Sequence, residues 1–201
     1  MDTIQRALIS CYDKTGVVDF ARVLLDFGVE IIATEGTRKV LSEAGIKASG
    51  IADFTGLREM MDGRVKSLHP KIHAGLLGIR DNKLHVDEMQ TYECQWIDLV
   101  AVNFHPLDDL IQNHAGAPEE VIEQVDIGGV AMIRSAAKNF RYVGVAVNPS
   151  RYPTICHELR AHDGTLPFTL RFRLAQEAFA VTAEYDAALA DFLHKCEPPE
   201  E

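Results

Sequence analysis

The chain has 201 residues, 47% of them hydrophobic, and carries 20 Lys and Arg against 30 Asp and Glu, a formal net charge of −10. This length and composition predict one domain with a substantial core. The acidic balance opposes the counterion release on which nucleic-acid affinity depends, so we expect no nucleic-acid partner, and any anionic ligand must be held by local cations and backbone N–H donors.

The first predicted unit is a strand, a turn and a helix. Residues 6–12 form a short apolar run that predicts a strand, and residues 13–16 predict the turn. Apolar side chains then recur at helical spacing over residues 17–25, and Gly28 is placed to close the helix.

A second unit of the same kind follows. Residues 29–34 are rich in β-branched side chains and predict a strand, while Thr37 is placed to cap a helix over residues 38–44 that ends at Gly45. Such alternation predicts parallel strands with right-handed crossovers, so the turns after both strands lie at one edge of the sheet. That edge carries the ligand in open α/β sheets.

The middle of the chain predicts an irregular segment and two more strands. Between residues 51 and 80 the hydrophobic periodicity fades among glycines, which indicates an ordered loop-rich segment of the kind that carries function. Residues 98–104 and 142–147 are apolar runs that predict strands, and a third strand-to-loop edge begins at Asn103.

The last part of the chain predicts a long helix over residues 168–193, and residues 197–201 are expected to be a frayed acidic tail. Since no repeat or linker divides the rest, we expect one domain over residues 1–196. Its predicted fold is α/β, with an open, mostly parallel sheet flanked by helices.

Polar residues follow the first two strands. Ser10 and Lys14 lie at the first turn, and Gly36 and Thr37 lie at the second. Backbone N–H groups and the helix dipole favour an anion at helix N-termini, so the four together predict a phosphate site. Taken singly, Thr37 is as well explained as an N-cap and Lys14 as a solvated charge.

A basic loop lies within residues 62–70. Arg64 and Lys66 are two positions apart, which in extended backbone points both side chains the same way. Arg64 suits a phosphate or ribose oxygen, and Lys66 can present a point charge to a carbonyl. A solvated basic loop explains the same residues.

A third polar group surrounds a predicted helix start. Asp126 precedes the pair Gly128 and Gly129. Further on, Arg134 and Lys138 share a helical face at i and i+4. A regular helix would place Asp126 and Lys138 about 18 Å apart. Both can serve one pocket only if the glycines break the helix, the ligand spans them, or a second subunit contributes one. An ordinary N-cap is the alternative for Asp126.

Metal and dinucleotide sites are not expected. His69 and His73 have i,i+4 spacing, but Pro70 follows His69 directly and no Glu lies between them as in H-E-x-x-H. No G-x-G-x-x-G or Walker sequence follows a strand, so neither a dinucleotide nor ATP has a cradle.

These segments resemble, in order and over almost the whole chain, the inosine monophosphate (IMP) cyclohydrolase domain of the bifunctional purine biosynthesis protein. The segments that carry the resemblance are Ser10 with residues 13–16, then residues 34–37, 63–70, 126–129, 134–139 and 185–188. The resemblance implies a methylglyoxal-synthase-like fold without metal or organic cofactor. The implied reaction is dehydrative ring closure of 5-formamidoimidazole-4-carboxamide ribotide (FAICAR) to IMP. It also implies a cyclohydrolase without the formyltransferase domain, to which another protein supplies the formylated substrate.

The resemblance also implies roles for individual residues. The carboxamide nitrogen attacks the formyl carbon, so the site must stabilise an oxyanion and move protons towards departing water. Lys66 and Asn103 are implied to bind the formyl oxygen, and Asp126 and Lys138 to handle the amide proton. The residues implied to hold phosphate and ribose are Ser10, Lys14, Thr34, Gly36, Thr37, Arg64, Ser67 and Gly128.

Two departures from the family pattern lie beside this implied site. His105 replaces a Tyr credited with oxyanion stabilisation, and we count it among the catalytic residues. Since three cations crowd positive charge into the site, we expect His105 to donate as a neutral imidazole. Glu35 replaces a Gly beside the implied phosphate, at small cost if its side chain points outward.

Two rival functions share the fold. A regulatory module that binds a nucleotide without chemistry would need the phosphate residues, but not Lys66, Asp126 and Lys138 together. A methylglyoxal-synthase-type lyase gives no reason for the 64–69 loop or the 126–139 segment.

The location is expected to be cytoplasmic. The four cysteines lie far apart without a C-x-x-C pair, which indicates reduced thiols. The N-terminus lacks a basic start followed by a long apolar run, so we expect neither export nor a membrane partner. The expected assembly is a homodimer acting on a phosphorylated small molecule.

Overall fold

A five-stranded sheet forms the centre of the computed structural model, which describes residues 3–113 and 118–197. The strands are β1 (Arg6–Cys11), β2 (Glu30–Ala33), β3 (Ser49–Gly50), β4 (Leu99–Asn103) and β5 (Gly144–Ala146). Their order is β3-β2-β1-β4-β5, and every neighbouring pair is parallel. The predicted α/β fold is confirmed, with a sheet that is wholly parallel within the described residues.

Helices fill the connections between the strands. Those before β4 are α1 (Val17–Asp26), α2 (Glu35–Glu43), α3 (Ile51–Thr55), α4 (Pro70–Leu77) and α5 (Lys83–Thr91). Those after β4 are α6 (Leu107–Asn113), α7 (Pro118–Glu123), α8 (Gly128–Lys138), α9 (Tyr152–Ala161) and α10 (Phe168–His194). Among the helices of the described ranges, none is long and apolar enough to cross a membrane.

The helices pack as two groups, α1 with α2 and α9, and α8 with α4 and α10. The central strands lie between these groups, because Leu8, Val100 and Val145 on three neighbouring strands are fully buried. Strands buried on both faces are typical of parallel sheets, and they explain the continuous apolar runs of β1 and β4.

The strand order reverses between β1 and β4, which opens a crevice at the carboxyl edge of the sheet. The register places Cys11 opposite Asn103 and Ile9 opposite Ala33. The segments that follow β1, β2 and β4 therefore leave the sheet side by side, as the sequence predicted.

The second helix differs from its prediction. It begins at Glu35, with Thr34 as its N-cap residue, whereas Thr37 lies within the first turn and is buried. The reason is a tertiary contact: Oγ1 of Thr37 accepts a hydrogen bond from the backbone N–H of Cys11 at 3.0 Å. The prediction that Thr37 caps this helix is therefore wrong.

The segment of residues 51–80 is more regular than predicted, since it holds α3, a 3₁₀ turn (Met61–Gly63) and α4. His69 and Pro70 set the start of α4, because Nδ1 of His69 accepts a hydrogen bond from the Lys71 N–H and Pro70 needs no acceptor at the first position. Of the predicted tail, residues 198–201 lie outside the described residues.

Candidate functional site

A pocket of about 500 Å³ opens at the carboxyl edge of the sheet. Its walls come from the ends of β1 and β2, the loop before α4, and the segment from α7 into α8. The residues among its lining that the sequence singled out are Ser10, Thr34, Arg64, Lys66, Ser67, Asp126 and Gly128. The fold thus gathers seven predicted residues from positions more than one hundred residues apart.

The hydroxyl edge, which we define as Ser10, Thr34 and Thr37, lies beside the pocket, and Ser10 and Thr34 form one of its walls. Oγ1 of Thr34 donates to Oγ of Ser10 at 3.1 Å, so the ends of β1 and β2 present two linked hydroxyls. Thr37 does not line the pocket, because its hydroxyl is bonded to the Cys11 backbone. Gly36 is exposed, and a Cβ there would meet no atom within 4 Å, so no packing contact requires glycine.

The turn after β1 is held by Asn103. Oδ1 of Asn103 accepts from the Asp13 N–H at 2.7 Å, and Nδ2 donates to the Asp13 carbonyl at 3.0 Å. Lys14, the next residue, donates from Nζ to the Tyr12 carbonyl at 3.1 Å. Neither Asn103 nor Lys14 belongs to the lining of the pocket, and the amide of Asn103 fixes the backbone that carries Lys14.

The facing wall is the cationic loop, residues 57–69. Each of its two predicted cations forms an ion pair: Arg64 with Glu123 at the end of α7, and Lys66 with Glu59 in the same loop. The side chain of Arg64 is 67% exposed, whereas that of Lys66 is 23% exposed. A carboxylate thus already pairs with each of the two cations. Nothing in the sequence marks Glu59 or Glu123 as these partners, because their neighbours follow only from the tertiary structure.

The Glu35 side chain pairs with Arg38 on its own helix. Arg38 donates to both of its carboxylate oxygens at 2.9 Å, and the side chain is exposed. Hydrogen bonding from Arg38 lowers the pKa of Glu35 below its usual value. Its charge is thus already paired with Arg38, and Lys66 of the cationic loop also lowers its pKa.

The third wall is the start of α8. Oδ1 of Asp126 accepts from the Gly129 N–H at 2.6 Å, so Asp126 caps the helix and lines the pocket as well. A Cβ on Gly129 would lie 2.4 Å from Oδ2 of Asp126, and one on Gly128 would lie 2.0 Å from Oγ of Ser67. The glycine pair is what lets Asp126 and Ser67 approach the helix. Burial raises the pKa of Asp126, and the Gly129 N–H partly offsets that rise.

Lys138 lies at the other end of the same helix. The helix is continuous from Gly128 to Lys138, so the glycines do not break it, and about 18 Å separates Asp126 from Lys138 along its axis. Lys138 is exposed and lies outside the lining of the pocket. Within one chain the two residues are not brought together, which leaves a spanning ligand or a second subunit.

His105 lies between β4 and α6. Its Nδ1 lies 3.0 Å from the Pro106 carbonyl, and its ring lies against Tyr12 with 4.1 Å between centroids. A carbonyl only accepts, so Nδ1 carries the proton in this orientation and Nε2 of the neutral ring is an acceptor. In this orientation a neutral ring donates from Nδ1 to the Pro106 carbonyl, so donation from a neutral His105 to a ligand stays a prediction that requires the other ring orientation or tautomer.

The two histidines set aside as metal ligands connect structural elements. His69 caps α4, and Nδ1 of His73 lies 3.0 Å from Oγ of Ser135 on α8. Burial lowers the pKa of His73, which favours the neutral imidazole.

Comparison with known families divides the chain into two parts. Residues 16–131 match the MGS-like domain, and residues 136–201 match the AICARFT/IMPCHase bienzyme. The first match covers the hydroxyl edge beyond β1, the cationic loop and the start of α8, whereas the second covers Lys138 and α10.

Similar proteins include the bifunctional purine biosynthesis protein PurH of Neisseria meningitidis serogroup A, which is 47% identical over 193 residues. PurH of Magnetococcus marinus is 46% identical over 193 residues. Each alignment covers 96% of this chain but 36% of the relative, so the chain spans about a third of the length of these curated relatives. The crystal structure of ForH superposes with a TM-score of 0.84 at 33% identity, over 96% of this chain and all of that one.

Proposed function

The chain belongs to the MGS-like domain family, and from this membership and the bienzyme match of its last third we propose that it is an IMP cyclohydrolase of purine biosynthesis. Its proposed substrate is FAICAR, its product is IMP, and its class is a hydrolase acting on a cyclic amidine. The support comes from relatives named as bifunctional purine biosynthesis proteins together with the residues gathered in the pocket.

One observation carries the proposal: Lys66 and Asp126 line the same pocket as the linked hydroxyls of Ser10 and Thr34. A regulatory module would need the hydroxyls but neither the ammonium nor the carboxylate. Ring closure needs all of them, because it joins an anchored phosphate to a step that develops charge on oxygen and moves a proton from nitrogen.

In the proposed reaction the carboxamide nitrogen attacks the formyl carbon, and the formyl oxygen becomes an alkoxide. Lys66 stabilises that oxygen by charge and donates to it. Asp126, as a carboxylate, accepts a proton from the attacking nitrogen. The new C–N bond closes the ring. The C–O bond then breaks and the oxygen leaves as water, with one proton from Lys66 and a second from the protonated Asp126, while the former formamide N–H proton returns to Lys66 as the ring C=N bond forms. The half-buried setting of both residues strengthens their interactions.

The proposed phosphate and ribose contacts come from the walls around these two residues. Ser10, Thr34 and Ser67 supply hydroxyls, and Arg64 supplies a fork of N–H donors once it leaves Glu123. The exposed amide of Gly36 and the ammonium of Lys14 extend the anion site along the β1 and β2 turns. Asn103 acts in this proposal chiefly by holding the Lys14 turn.

A homodimer is part of the proposal, since Lys138 can join the chemistry at Asp126 only through a spanning ligand or a neighbouring copy. Light scattering on the purified protein tests the dimer. A cytoplasmic location is also proposed, and all four cysteines are free thiols in support of it.

An assay of IMP formation tests the proposed function. Purified protein is mixed with FAICAR in the absence of metal and cofactor, and IMP is followed by its ultraviolet absorbance and identified by chromatography. Catalysed IMP formation above the uncatalysed rate supports the proposal. IMP binding without turnover would indicate the regulatory module, and release of methylglyoxal from dihydroxyacetone phosphate would indicate the lyase.

A further inference from the structure

Tyr185 on α10 contacts the segment that carries Asp126. Its hydroxyl oxygen accepts a hydrogen bond from the Asp126 N–H at 3.1 Å, and the residue is 6% exposed. Asp126 precedes α8, so its N–H has no carbonyl partner within that helix. The Tyr185 hydroxyl thus satisfies a half-buried donor that is otherwise left unpaired among the described residues.

The ring of Tyr185 reaches a second part of the carboxyl edge. It packs on Phe104 with 4.4 Å between ring centroids, and Phe104 directly follows Asn103 at the end of β4. It belongs to a small apolar cluster with Leu107, Leu110 and Val121, which joins α6 and α7 to α10. One side chain therefore contacts the carboxylate segment, the β4 edge and the helices beside the pocket.

A second pocket, of about 530 Å³, lies beside this contact. Its lining shares residues 125–127 with the first pocket and also includes Tyr185. Asp126 therefore borders open space in both pockets, and the hydrogen bond from its main-chain N–H to the Tyr185 hydroxyl ties this segment to α10.

We propose that Tyr185 is a positioning residue for ring closure: its hydroxyl fixes the main chain of Asp126, and its ring fixes the Asn103 edge through Phe104. This inference rests on the proposed function. Tyr185 touches no reacting atom and acts through Asp126, because its hydroxyl is bonded to the backbone of that residue and its ring is buried.

The test is Tyr185→Phe, which removes the hydroxyl and keeps the ring, with Tyr142→Phe as the matched control. The Tyr142 hydroxyl donates to Asp81 at 2.7 Å, remote from the pocket. We expect kcat for IMP formation to fall about 10-fold in Tyr185→Phe with KM within about twofold of wild type, because the carboxylate is displaced while substrate contacts persist. The control should retain wild-type kcat.

The double variant Asp126→Asn with Tyr185→Phe distinguishes positioning of Asp126 from a purely structural role of Tyr185. If Tyr185 acts through Asp126, the second substitution causes no further loss of kcat, whereas independent effects multiply. Amide hydrogen exchange measured by NMR should also show faster exchange of the Asp126 N–H in Tyr185→Phe, by about 10-fold or more.

Three outcomes would overturn the inference while the proposed function stands: wild-type kcat in Tyr185→Phe, losses that multiply in the double variant, or unchanged exchange at Asp126. Absence of IMP formation by the wild-type protein would instead overturn the proposed function, and this inference with it.

Discussion

The hydroxyl edge and the cationic loop face each other across one pocket, yet they are built differently. The hydroxyl edge follows directly from buried parallel strands, and its side chains bond to each other or to the β1 backbone. The cationic loop is largely exposed, and it contains Met61 and Asp62 with φ of 53° and 54°, a conformation that residues other than glycine adopt at a cost. Its cations are held by carboxylates.

This difference separates anchoring from chemistry. In the proposed reaction the groups fixed by the sheet bind the phosphate, and a phosphate remote from the reacting atoms is held equally well in the ground state and the transition state. Cations on the loop can exchange a carboxylate partner for a ligand. This suits Lys66, whose charge the proposed reaction needs only when the alkoxide forms. The comparison predicts different kinetic effects on the two walls.

The largest effect is expected for Lys66→Ala on the loop. Loss of one donor to an oxyanion typically costs about 3 kcal/mol in the transition state, so kcat should fall about 100-fold or more while IMP affinity changes little. Steady-state kinetics and calorimetry with IMP measure the two quantities. Lys83→Ala is the control, since Lys83 pairs with Asp87 on the surface of α5. Near wild-type turnover would remove Lys66 from the mechanism.

Asp126→Asn should separate activity from stability. We expect kcat to fall about 100-fold, as for loss of a general base, while the thermal midpoint at pH 7 stays equal or rises. A carboxyl whose pKa is raised on folding stabilises the fold below its unfolded pKa and loses that contribution as pH rises through the folded value. Asn caps equally well without that charge.

The same raised pKa sets a pH dependence. Since the base must be ionised, the wild-type rate should fall as pH falls through the pKa of Asp126, which burial places above the usual range for a carboxyl. A pH–rate profile of kcat/KM between about pH 4 and 7 should show this acidic limb, because kcat/KM reports the titration of the free enzyme. Full activity of Asp126→Asn would contradict both expectations.

Lys14→Ala tests the proposed extension of the anion site along the β1 turn and should have an intermediate effect. A charged hydrogen bond contributes about 1.5–3 kcal/mol, so IMP affinity should weaken about 10-fold or more while kcat at saturating substrate is retained. Calorimetry with IMP beside saturation kinetics measures the split. Unchanged affinity would place the phosphate away from the β1 turn.

The smallest effect is expected for Glu123→Gln, which frees Arg64 from its partner. An exposed ion pair contributes about 0.2–1 kcal/mol, so IMP affinity should rise by up to about fivefold, and less at high salt. Glu119→Gln, on the same helix, is the control. A weaker affinity in Glu123→Gln would show that Glu123 aids the ligand and does not compete with it.

The sheet and its carboxyl edge were predictable because hydrophobic runs and glycine positions are local signals. Residues 6–12 and 98–104 correspond to β1 and β4 within a residue or two, and the position of Ser10 and Thr34 at one edge of the sheet follows from strand order. The cap of α2 was not predictable, because the Thr37 hydroxyl accepts a hydrogen bond from the Cys11 backbone, 26 residues away in sequence.

The ion pairs of the cationic loop were equally unpredictable from the sequence. Nothing in the spacing of Glu59, Arg64 and Glu123 indicates which ions pair, because exposed pairs depend on loop geometry. The orientation of His105 depends on a single carbonyl beside its ring. By contrast, the separation of Asp126 from Lys138 followed from helical rise alone, and the structure keeps that helix continuous.

The most direct measurement is a crystal structure of the protein with IMP bound. We predict the phosphate at Ser10 and Thr34, the purine between Lys66 and Asp126, and Arg64 turned from Glu123 towards the ligand. IMP bound outside this pocket, or bound in it with the base turned away from both Lys66 and Asp126, would contradict the division of the site into an anchoring wall and a reacting wall.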